Sequence, residues 1–202
     1  MRLIAENLRC VRGGRELYDS VSFSLGDGEF LLLTGPNGAG KTSLLRQIAG
    51  LLPLDGGTLH LEGGAIADEA HFVGHAAAVK DALTVAENLA FWSALYGRPR
   101  LPLGDALERL RLHTLGNLPA GVLSAGQKRR LALARLLIIE RKLWLLDEPD
   151  AALDKEGRDT LLGILTEHRA QGGLAIIASH GTLPLTAAHE ISLGVGADAQ
   201  AA

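Results

Sequence analysis

Several protein classes are excluded by what this sequence lacks. Its 202 residues include one cysteine, Cys10, so no internal disulfide can form and a zinc site of spaced cysteines has no partners. A reducing cytoplasm is the expected compartment, with Cys10 a small core residue in an apolar, strand-like stretch. Aromatic residues are scarce, two Trp, two Tyr and four Phe, and basic residues do not outnumber acidic ones, the formal net charge being −3. A nucleic-acid binder, which ordinarily carries a clustered basic face, is therefore not expected. No run of about 18 uncharged apolar residues occurs. Residues 1–7 also lack the basic region and apolar stretch of a secretory signal, so the chain is expected neither to be secreted nor to cross a membrane by itself.

What is present reads as a folded α/β protein. With 202 residues, 47% of them hydrophobic, the chain is long enough to bury one substantial core and too short for two independent domains. Val21, Phe23 and Leu25 alternate with Ser22 and Ser24, and an Asp27-Gly28 turn leads into Phe30-Leu31-Leu32-Leu33. This predicts a half-exposed strand followed by a buried one. Further strands are predicted at 58–62, 143–146 and 174–178, and helices at 105–112, with Leu107 and Leu110 inward, and 159–168. Thr84-Val85-Ala86-Glu87 and Ser124-Ala125-Gly126-Gln127 both have capping-box chemistry and predict helices ending near Tyr96 and Ile139. Buried strands alternating with helices indicate a mainly parallel, helix-covered sheet. The expected organisation is a single domain, with a core of residues 1–74 and 126–202 and an inserted helical subdomain at 75–125. The small, polar tail from Gly194 is expected to fray.

The chemistry centres on Gly35-Pro36-Asn37-Gly38-Ala39-Gly40-Lys41-Thr42, placed between a buried strand and a helix-like segment opening at Ser43. Glycines let successive backbone N–H groups converge on phosphate oxygens, and the helix N-terminus adds its positive end. Lys41 is expected to neutralise the β- and γ-phosphates of ATP, and the Thr42 hydroxyl to ligate Mg²⁺. The apolar strand Leu143-Trp144-Leu145-Leu146 ends in Asp147 and Glu148, at the edge where an open parallel sheet places its ligands. Asp147 is expected to hold Mg²⁺, and Glu148 to orient or deprotonate the attacking water. His180 closes the run 174–179 and is positioned to hydrogen-bond the γ-phosphate or that water. Ser124, Ala125, Gly126 and Gln127 form a second helix N-terminus suited to an anion, although a serine cap is common in any helix.

Together these residues resemble the ATP-binding cassette family, whose signature is matched by Leu123-Ser124-Ala125-Gly126-Gln127 except for alanine at the third position. The resemblance covers nearly the whole chain. It implies a phosphate-loop cassette fold with an antiparallel β part near the N-terminus. It also implies a head-to-tail homodimer in which Ser124, Ala125, Gly126 and Gln127 of one copy close on ATP held by the other. Asp154 falls in the loop that crosses that interface, and His180 matches the family's switch histidine.

Two positions depart from the family pattern. Arg12 stands where an aromatic residue stacks on adenine; its planar guanidinium either stacks in its place or is a solvated turn arginine. His75 replaces a glutamine and can still reach the metal's water or the γ-phosphate. Within the family the chain is most similar to cassettes of bacterial cytochrome c maturation. That likeness implies peripheral attachment at the cytoplasmic face of the inner membrane, integral partners of CcmB and CcmC type, and ATP hydrolysis coupled to haem transfer or release, without direct haem binding by this chain. A soluble cassette ATPase and a small-molecule kinase are the competing classes.

Three further features are weighed. His71 and His75, on either side of the strand-like pair Phe72-Val73, do not share a helical face for a metal. Phe91 and Trp92 are adjacent and cannot both face one core, so either one of them faces a partner, a coupling helix of a membrane subunit docking on this lobe, or Phe91, Leu95 and Leu89 simply pack within the lobe. Lys128-Arg129-Arg130 either holds phosphates or a partner or is a solvated face.

Overall fold

The computed structural model describes residues 1–97, 99–179 and 183–194. Among the described residues eight strands and six α-helices follow one another. β1 (Arg2–Arg12), β2 (Arg15–Gly26) and β4 (Gly56–Glu62) form an antiparallel sheet in the order β2-β1-β4. The second sheet has the order β5-β6-β7-β3-β8. It comprises β3 (Phe30–Thr34), β5 (Ala70–Val73), β6 (Leu143–Asp147), β7 (Leu174–Ala178) and β8 (His189–Ser192). Its pairs from β6 to β8 are parallel. Every residue of β6 and β7 is buried, as interior strands of a parallel sheet should be.

By internal contacts the described chain divides into two compact units. The first is Met1–Phe72, Arg141–Glu148 and the chain from Glu167 onward; the second is Val73–Glu140 and Pro149–Thr166. In the first unit the two sheets share one apolar core, in which Leu3, Leu8, Cys10, Leu25, Leu31, Leu44, Ile48, Leu145 and Ile176 pack with α1 (Lys41–Ile48). Cys10 is fully buried there. The alternation of residues 21–25 appears as buried Val21, Phe23 and Leu25 between more exposed serines. The His168 ring stacks on Trp144 at 3.6 Å and its Nε2 lies 3.1 Å from the Leu174 carbonyl, fixing the start of β7. Strand β8 was not legible in the sequence, because four residues containing His189 and Glu190 carry no strand pattern until β3 pairs with them.

The second unit is helical. α3 (Val85–Tyr96) and α5 (Ala125–Ile138) both open with the predicted capping boxes, Thr84 with Glu87 and Ser124 with Gln127. α4 (Leu103–Arg109) starts two residues early because Pro102 presets the entry, and it stops early because Arg111 adopts a left-handed φ of 56°. Leu107, Leu110 and Leu112 are nevertheless buried. α6 (Lys155–Ala170) begins four residues before its predicted start, since Asp154 Oδ1 accepts the Gly157 N–H at 2.8 Å and caps it. In the first unit a single turn, α2 (Ile66–Glu69), precedes β5.

Candidate nucleotide-binding site

In the first unit, β3 runs into residues 35–40 and then α1. Gly40 is the N-cap of α1 with φ 106°; no side chain caps the helix and its first turn carries no acid. Its leading N–H groups and dipole are therefore offered to an anion without a competing carboxylate. Lys41 is buried, and its Nζ donates to the carbonyls of Gly35 (2.7 Å) and Pro36 (3.1 Å), which holds the ammonium inside the curve of the loop. Pro36, Asn37 and Gly38 are exposed on the loop's crest, and Ser43 is half-buried in the first helical turn. Gly35 has a second task that the sequence does not show. A β-carbon there would lie 2.2 Å from the Leu193 carbonyl, because the chain leaving β8 runs directly against it.

Thr42 and Asp147 meet although they lie 105 residues apart. The Thr42 hydroxyl lies 2.9 and 3.1 Å from the two Asp147 oxygens, and the carboxylate is 2% exposed. A hydroxyl and a carboxylate facing each other at a helix N-terminus are hard oxygen donors of the kind Mg²⁺ takes, so these residues fit the ion. Glu148 directly follows β6. Its φ of 49° breaks the strand, and its N–H donates to the Ala178 carbonyl at 2.9 Å, so it leaves the sheet in a direction different from that of Asp147. His180 lies outside the described residues; Ser179 before it is buried and donates its N–H to the Leu33 carbonyl.

Arg12 ends β1. Its guanidinium donates to Asp55 Oδ2 at 3.0 Å and to the carbonyl of Val11, so it is anchored at the sheet edge rather than purely solvated.

The remaining candidates belong to the second unit. Ser124 and Ala125 are exposed at the start of α5, where the Gln127 N–H donates to Ser124 Oγ at 3.2 Å. Gly126 lies against the loop after β6: a β-carbon there would be 2.8 Å from the Ala152 carbonyl. Asp154, besides capping α6, lies 3.9 Å from Arg130. His75 is exposed in the turn after β5, whereas His71 is buried within that strand, so the two do not share a helical face. Of the basic run, Arg129 is buried and donates to the carbonyls of Pro149 and Gly74, while Lys128 pairs with Asp81 at 2.7 Å. Arg129 is therefore an internal tie, which its place in a charge run concealed. On α3, Trp92 lies under the Arg135 guanidinium, 4.1 Å from ring centroid to carbon, while Phe91, Leu95 and Tyr96 are exposed. Burial pulls the Arg135 guanidinium down to about 10.

A sheet whose interior strand β3 enters a glycine loop and a lysine-bearing helix, with the aspartate that ends β6 on the following threonine, defines a phosphate-loop nucleotide-binding protein. Residues 18–151 match the ABC transporter family. The cytochrome c biogenesis ATP-binding export protein CcmA of Rhodopseudomonas palustris (strain BisB5) is 48% identical over 201 residues, 98% of this chain and 100% of that protein. Its namesake in Nitrobacter winogradskyi is 48% identical over 198 residues, 96% of this chain and 98% of the other. Among solved structures, an ABC transporter ATP-binding protein of Pyrococcus furiosus superposes with a TM-score of 0.83 at 26% identity, covering 96% of this chain and 98% of that one. The chain belongs to the ABC transporter family of ATP-binding proteins and is an ATPase. Among the described residues no helix is long and apolar enough to cross a membrane.

Proposed function

We propose that this chain is the ATP-hydrolysing subunit of a cytochrome c biogenesis export complex, in which hydrolysis powers haem transfer or release of a haem-loaded carrier outside the cytoplasm. The observation that carries this reading is 48% identity, end to end, with relatives bearing that name. In the proposed site Gly35, Pro36, Asn37, Gly38, Ala39, Gly40, Lys41, Thr42 and Ser43 wrap the phosphates, and Thr42 and Asp147 hold Mg²⁺, which when bound neutralises charge on the β- and γ-oxygens. Glu148 takes a proton from the attacking water as it adds to the γ-phosphorus and ADP departs. Ser124, Ala125, Gly126 and Gln127 of a second copy complete the γ-phosphate site, with Asp154 at the interface. His75 and His180 contact the γ-phosphate or the water, and Arg12 lies on the adenine side.

The proposed assembly is a homodimer on the cytoplasmic face of the inner membrane, bound to integral subunits of CcmB and CcmC type. Affinity purification of the chain from detergent-solubilised membranes tests it. Recovery of haem-handling integral proteins together with ATPase activity is the expected result. Recovery with membrane proteins that carry other cargo, or with nucleic acid resistant to high salt, would overturn the cytochrome c assignment.

A further inference from the structure

Behind the phosphate loop lies a buried polar link that the proposed chemistry does not use. Tyr18, on β2, lies beneath Gly40: a β-carbon at Gly40 would meet the Tyr18 ring at 2.9 Å and Leu17 Cβ at 3.2 Å. The Tyr18 hydroxyl donates to Gln47 Oε1 at 2.5 Å, and both residues are buried, Gln47 at 2% exposure. The Gln47 amide in turn donates at 3.0 Å to the carbonyls of Arg9 and of Pro53. One acceptor and two donors of this amide are thus satisfied without water. Asp55, two residues on, accepts from the Val11 N–H at 2.9 Å and from Arg12. Burial raises the Tyr18 phenol far above its usual range, which keeps the hydroxyl a neutral donor.

We infer that Tyr18 and Gln47 are positioning residues for nucleotide binding, acting as a strut that holds the last glycine of the phosphate loop against the end of β1 that bears Arg12. The physical reason lies in the two ends of α1. The Tyr18 ring bears on Gly40, whose left-handed backbone sets the direction of the N–H groups that follow. Gln47, near the other end of the helix, ties it to β1 and to residues 53–55. Removing the hydroxyl leaves a buried amide oxygen without a donor and frees the ring from the bond that fixes it beneath Gly40. The inference rests on residues 35–42 being the phosphate-binding loop.

The test uses Tyr18→Phe, Gln47→Leu and the double variant of the full chain, measured for MgATP and inorganic triphosphate affinity by calorimetry at a temperature well below the thermal midpoint. Each single variant is expected to weaken both ligands by about fivefold or more, since the defect lies at the loop and not at the base. In the double variant both partners become apolar and the thermal midpoint returns toward wild type, while affinity stays low. Affinities within about twofold of wild type in the folded single variants, or affinity that recovers with the midpoint in the double variant, would overturn the inference. Lys41→Ala is measured alongside: wild-type binding there would instead sink the assignment of the loop itself.

Discussion

Lys41 and Glu148 have separable tasks in the proposed site, one binding charge and the other moving a proton, so substitutions should divide binding from turnover. Lys41→Ala is expected to abolish detectable MgATP binding by calorimetry, since the only buried ammonium inside the loop is lost from among the described residues. Glu148→Gln keeps the shape and hydrogen-bonding reach of the side chain but cannot accept the proton. It is expected to bind MgATP like wild type, to lower kcat by about 10²-fold or more, and to accumulate as a nucleotide-bound dimer on size exclusion. Substantial steady-state hydrolysis by that variant would contradict the role of Glu148. Arg12 poses a different question, because its bond to Asp55 is partly exposed and pairs of that kind add little stability. Arg12→Ala should therefore leave the thermal midpoint nearly unchanged while weakening MgATP by about threefold to tenfold if the guanidinium stacks on the base; unchanged affinity makes it an anchor for Asp55 alone.

At the scale of elements, the two capping boxes were readable because each is a local exchange: a hydroxyl and a longer polar side chain three residues on satisfy each other's backbone donors. For α5 the cap and the proposed trans phosphate contact share one residue, and chemistry can part them. Ser124→Ala should cost about 1 kcal/mol of stability and also lose activity. Ser124→Asp restores a good cap, so the thermal midpoint should recover, but its charge faces the partner's γ-phosphate and ATPase activity should stay low; an active Ser124→Asp enzyme would remove the phosphate contact. In α3, hydrogen bonds to the Glu87 carboxylate from the Thr84 backbone N–H and side chain hold that carboxyl below its ordinary value. A depressed carboxyl contributes stability above its unfolded pKa and loses it as pH falls through the folded one. The midpoint difference between wild type and Glu87→Gln should accordingly shrink on acidification below about pH 4.5, which thermal melts across pH will show. The boundaries of α4 and α6 were less legible, since Arg111 in a left-handed conformation and Asp154 as a cap without a glutamate partner leave no strong local pattern.

For the whole molecule, the phosphate loop and the helix N-terminus at Ser124 belong to different compact units of one chain, and the proposed dimer supplies one from each copy. Specific ATPase activity of the isolated chain should then rise with protein concentration instead of staying constant, because two copies must meet. A flat profile across dilution would mean that a single copy completes the site.

The sequence by itself determined the features that depend on neighbours a few residues away: the glycine loop between a buried strand and a helix, the acidic end of β6, both capping boxes and the buried parallel strands. These are legible because hydrophobic period, cap chemistry and glycine placement are local constraints. Tertiary structure alone decided that Thr42 meets Asp147 across 105 positions, that Gly35 lies against Leu193, that Arg12 is held by Asp55, and that Tyr18 and Gln47, 29 positions apart, share one buried bond. Each of those contacts depends on where the chain returns after a long loop, and no local pattern in the sequence encodes that return.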